Sequence, residues 1–98
     1  MYKVVIPSKV WLEIQKELEF WAEKNPRYAE KVAVELHFHL TETLVTNPGF
    51  GALKAKKGGL LYYLIQKQFK LVFEVDKPGK QVIVHYFFNT RKQVSKNI

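Results

Sequence analysis

No cysteine occurs among the 98 residues, so disulfides, thiolate nucleophiles and cysteine metal sites are excluded and the fold must rest on packing. Long apolar runs are missing too. No stretch approaches the ~18 residues that span a bilayer, and "MYKVVIPSKVWLEIQ" has neither the apolar core nor the small-residue cleavage site of an export signal. A cytoplasmic chain with no membrane partner is expected. Glycine fingerprints for phosphate or dinucleotide binding are also lacking, because Gly49, Gly51, Gly58 and Gly59 fit neither spacing and follow a helical pattern instead of a strand. His37 and His39 stand two apart on that helix, roughly 200° apart around its axis, and so cannot share an ion. His37 should border the core and His39 the solvent. Glu13 and Glu17 read as a solvated helix face, with no carboxylate pair set apart for acid–base work. No metal and no small-molecule cofactor is expected.

Acid is scarce in one half of the chain. Residues 1–48 carry six Lys or Arg and seven Asp or Glu, whereas residues 49–98 carry ten against two. The overall excess of +7 therefore lies wholly in the second half, a segregation that suits a polyanionic partner. With 47% hydrophobic and 14% aromatic residues, the chain is an ordered globular one, and its length suits a single domain, 1–98.

What is present reads in order. "YKVVIP" is a short strand, Tyr2 to Ile6, stopped by Pro7. Ser8 is placed to cap a helix over about 9–24, with Trp11, Ile14, Leu18 and Trp21 on one face. Asn25 and Pro26 supply a cap and a first helical residue, and the second helix runs to about Thr46. Its stripe is Ala29, Val32, Ala33, Leu36, Leu40 and Leu44, yet Val34, Phe38 and Val45 lie elsewhere around it, implying a second burial surface for a partner. "NPGFG" ends the helix. The loop with Lys54, Lys56 and Lys57 follows, and then the period becomes two: "LLYYLIQK", "FKLVFEVD" and "QVIVHYFF" are three strands. The fold class is α+β, in the order β-α-α-β-β-β, with both helices on one face of a mostly antiparallel sheet.

Pro78 and Gly79 at the centre of a type II turn would set Val75, Phe73, Leu71 and Phe69 opposite Val82, Val84, Tyr86 and Phe88, an apolar face for the helices. The other face would hold Lys70, His85, Phe87, Asn89 and Arg91. Around it lie the mobile lysine loop and, in the tail, Lys92 and Lys96. Cations there can neutralise phosphate, and Phe87 or Tyr63 offers a plane for an unstacked base. An imidazole, which titrates near ~6.5, is the natural proton-transfer group in this set, so His85 is the candidate base.

The element order, "NPGFG", the basic loop, "FKLVFEVD" and the terminal "FFNTRKQ" together resemble the RelE/ParE superfamily of bacterial type II toxins over nearly the whole chain. The resemblance implies that Lys70 takes the place of a phosphate-binding arginine, that Arg91 matches a second basic residue, and that Lys54, Lys56 and Lys57 match basic residues before the sheet. Asn89 stands where many relatives have histidine. It further implies a cognate antitoxin as partner, and as target either mRNA in the ribosome or DNA gyrase. The implied activity is ribosome-dependent cleavage of mRNA, with Lys70, Arg91 and His85 catalytic and Lys54, Lys56, Lys57, Phe87, Asn89 and Lys92 holding nucleic acid. A non-catalytic basic RNA- or DNA-binding module is the alternative of another class.

Overall fold

A computed structural model describes residues 1–91; Lys92 and Lys96 lie outside the described residues. Strand β1 (Lys3–Val5) leads into helix α1 (Ser8–Lys24) and, after one residue, helix α2 (Pro26–Phe38). The helical path continues through a π-helical segment (His39–Thr43) into α3 (Leu44–Thr46), and four strands follow: β2 (Leu53–Lys54), β3 (Leu61–Ile65), β4 (Phe69–Asp76) and β5 (Gln81–Asn89). They form one sheet in the order β1-β5-β4-β3-β2. Only the β1–β5 pair is parallel. The α+β architecture expected from the sequence is present, with β2 as an addition within the expected lysine loop.

Helix boundaries follow local chemistry. The Asn25 side chain accepts from Tyr28 N at 3.2 Å, with Pro26 at the first helical position, as the sequence predicts. Ser8 does not cap α1. It is already helical, and the Pro7 carbonyl accepts from Val10 N and Trp11 N at 2.9 and 3.1 Å. Ile14 is buried and Leu18 and Trp21 pack on the core as expected, but Val10 is buried in place of Trp11, which is 47% exposed. In α2 the expected core positions Ala29, Val32 and Leu36 are buried, as is Leu44 in α3.

Two turns depart from expectation. In the β4–β5 hairpin Lys80 N donates to Lys77 O at 3.2 Å, and Asp76 pairs with Gln81 as predicted. The left-handed residue, however, is Lys80 (φ +53) and not Gly79, so this is not a type II turn. The Asp76 carboxylate accepts from Gly79 N at 3.1 Å, an Asx-type bond that holds the bend. The β3–β4 hairpin is connected by Gln66, Lys67 and Gln68, the first two left-handed at φ +52 and +55. Gln68 N donates to Ile65 O at 3.0 Å. That is the type I′ form, which matches strand twist but normally uses glycine or asparagine. Glu35 of α2 steadies it, accepting from both the backbone N and the side-chain amide of Gln66 at 3.0 and 2.7 Å.

The main correction concerns register. Val75↔Val82 and Phe73↔Val84 pair as expected, but the ladder slips between Val72 and Phe73, and beyond it Val72 faces Tyr86, Leu71 faces Phe87 and Phe69 faces Asn89. His85 is the extra residue of a β-bulge. Strand alternation carries every side chain after a bulge to the opposite face. Phe87 therefore enters the core, 1% exposed and stacked on Phe69, and Asn89 is buried behind it.

Candidate nucleic-acid interface

The sheet has two unlike faces. One packs against the helices through Leu71, Phe73, Val82, Val84 and Phe87. The other carries a smaller apolar cluster, with Val72 and Phe88 buried and Tyr62 and Tyr86 partly so. Polar groups on this second face come from alternate positions of β4. Lys70 rests its ammonium over the Tyr62 ring, 4.4 Å from the centroid, a cation–π contact that fixes where the charge sits. Glu74, two alternations along, lies 2.9 Å from His85 Nε2, both side chains open to solvent.

Both Lys70 and His85 are thus on the predicted face. Four residues of strand separate Lys70 from Glu74, about 13 Å between Cα atoms, with Val72 and Tyr86 between. Lysine and imidazole accordingly stand at different points along the face. Tyr86, whose ring lies 6.2 Å from that of His85, takes the place between them expected for Phe87. Phe87 and Asn89 cannot touch a ligand on this face. They point to the helix side, where Asn89 Oδ1 accepts from Arg91 N at 2.9 Å.

Arg91 is exposed, and its charge acts on Tyr28 of α2: burial pushes the Tyr28 phenol up, Arg91 pulls it down, and Glu35 pushes it up. Tyr28 donates to the Gln68 side chain and packs on the main core. Arg91 therefore belongs to the helix-side end of the sheet, while Lys70 lies on the far face. The expected pairing of Lys70 with Arg91 on one surface is not what the bulge produces.

The lysine loop is a hairpin. Lys54 pairs with Leu61 across β2–β3, and Leu60 N closes on Lys57 O at 3.3 Å with Gly59 at φ +81, the left-handed third position that a type II turn requires. Lys54, Lys56 and Lys57 are exposed.

Sequence reasoning also missed acidic and histidine partners. Glu13 is not a solvated group: its carboxylate accepts from Phe87 N at 3.3 Å. Glu17 Oε1 is buried without a hydrogen-bond partner among the described residues. His39, expected in solvent, lies flat on Tyr63 at 4.2 Å between centroids, and its Nδ1 is 3.2 Å from Thr43 Oγ1. His37 is the exposed one. The signal was available, because His39 follows Val32 by seven residues and so shares its face. Burial lowers the His39 pKa, and Glu35 opposes the shift.

Opposite the sheet, α1 and α2 leave an apolar groove of about 450 Å³ lined by Trp11, Leu18, Ala33, Val34 and Leu40 among others. Val34 and Phe38 beside it are 63% and 56% exposed, the second apolar surface the sequence implied.

No family model matches the chain, and no curated protein matches it. Solved structures similar to it include a YoeB/ParE toxin from Agrobacterium tumefaciens, 21% identical over 89% of this chain and 97% of that one, with a TM-score of 0.48. The YoeB–YefM complex from Staphylococcus aureus is 13% identical over 89% of this chain and 94% of that chain, with a TM-score of 0.47.

Proposed function

We propose that this chain is the toxin of a toxin–antitoxin pair and that it cuts mRNA on the ribosome through the second face of its sheet. The observation that carries the reading is the row Lys70–Tyr86–His85–Glu74, a cation, an aromatic plane and an oriented imidazole along one strand direction. Cleavage needs a base for the ribose 2′-hydroxyl, a countercharge for the phosphorane and a proton for the departing 5′-oxygen. With its Nε2 proton donated to Glu74, His85 keeps a lone pair on Nδ1 for the hydroxyl proton. The 2′-oxygen then bonds to phosphorus, the P–O5′ bond breaks, the departing 5′-oxygen takes its proton from water, and a cyclic phosphate and a free 5′-hydroxyl result. Lys70 holds a phosphate of the same strand, Tyr86 stacks a base between them, and Lys56 and Lys57 add field at the rim. The antitoxin would lay an amphipathic segment in the groove between α1 and α2.

Primer extension on message isolated from translating ribosomes tests this. New 5′ ends are expected with the native chain and not with Lys70→Ala or His85→Ala. Uncut message would remove the nuclease reading, and lost supercoiling with message intact would transfer it to gyrase.

The separation of Arg91 from Lys70 favours one second reading, a basic RNA-binding module without catalysis. Under it the same substitutions weaken binding alone, and affinity falls with salt at a log–log slope of about −0.7 per single-strand phosphate.

A further inference from the structure

Beside the β2–β3 turn and the end of β4 lies a second cleft, about 470 Å³, lined by Lys54, Gly58, Gly59, Leu61, Val75 and Lys77 among others. Its size is within the range of small-ligand sites. Lys54 comes from β2 and Lys77 from beyond β4, so the two residues line the cleft from either side of β3, which runs between those strands. Leu61 and Val75 pack against the main core and give the cleft an apolar floor. No acidic residue lines it. A Cβ built at Gly58 or Gly59 meets nothing within 4 Å, so the turn leaves open space.

We infer that this cleft is a nucleotide subsite, with a phosphate between Lys54 and Lys77 and the sugar or base on Leu61 and Val75. A bare anion would leave the apolar floor unused, and an apolar ligand would leave two ammonium groups facing it. One nucleotide satisfies both. The choice of ligand rests on the RNA reading above, but the place is different: Lys77 lies in the hairpin turn, seven residues from Lys70, and carries no role in cleavage there.

The test is a titration of the ¹⁵N-labelled chain with CMP, with inorganic phosphate and cytidine as separate arms. Saturable shifts of the Gly58, Gly59 and Lys77 amides are expected with CMP, and much weaker ones with either fragment. Lys54→Gln and Lys77→Gln should each weaken CMP binding roughly fivefold or more, as expected for a lost charge-assisted contact. Lys80→Gln removes a charge from the same turn, but its ammonium rests over Tyr2, and CMP affinity should hold. Absent shifts at Gly58 and Gly59 overturn the subsite even if message is cut. Equal losses in all three variants overturn it as well, and phosphate binding as well as CMP reduces it to a bare anion site. Shifts that persist in a chain unable to cut message support the subsite and count only against the nuclease.

Discussion

Phe69 and Phe87 lie face to face, 5.3 Å between ring centroids and 8° from parallel, because the bulge at His85 turns Phe87 from the outer face of the sheet into the core. Truncation of Phe87 is therefore a stability experiment. Phe87→Ala should cost about 3–5 kcal/mol, the usual price of an emptied aromatic core site, read as a lowered urea midpoint. Unchanged stability with weakened RNA binding would instead restore the unbulged register.

On the second face, His85→Ala should slow cleavage by about 10²-fold or more, as loss of a general base does. Stability should move little, since the imidazole is partly exposed. Glu74→Gln should give a smaller loss by relaxing the ring's orientation. An His85→Ala protein that cuts at the native rate would show that the base lies elsewhere.

Half-buried beside Tyr63, His39 makes the fold sensitive to acid. Its folded pKa is lowered from an unfolded value near ~6.5, so the unfolded chain binds the proton more readily. Stability from this group is full above about 6.5 and declines as pH falls from there towards the folded pKa. Urea midpoints measured from pH 7.5 to 5 should fall, and His39→Phe, which keeps a ring against Tyr63, should flatten that part of the profile. An unchanged slope in the variant would assign the acid sensitivity to other groups.

Lys67 offers a gain. A side chain at φ +55 strains against its own carbonyl by about 1–2 kcal/mol, which glycine avoids. Part of that returns as unfolded-state entropy, on the order of 0.5–1 kcal/mol. Lys67→Gly should raise stability by up to about 1 kcal/mol. A lower midpoint would mean that the lysine side chain contributes more than its backbone costs.

These cases show which features a sequence displays. The Asn25–Pro26 junction, the three long strands and the Lys77–Lys80 bend are local matters of caps, period and turn chemistry. The bulge was hidden because "HYFF" is aromatic or half-apolar at every position, so either parity yields an apolar inner face. Once the parity is misjudged, Phe87 and Asn89 are assigned to the wrong side. β2 contains two residues, too few to show any period. Lys70 was legible since the extra residue belongs to β5 and leaves the alternation of β4 unbroken, and His85 since parity changes only after it. Glu74 and Lys77 were visible but had no partner until the strands were brought together.

The π-helical segment His39–Thr43 gives the second helical rod one residue more than its phase requires. A version shortened by the exposed Thr41 would wind as ordinary α-helix there and still deliver Leu44 to the interior. Length changes in this rod should therefore be absorbed at that turn, where the chain can gain or lose a residue without re-aiming everything downstream.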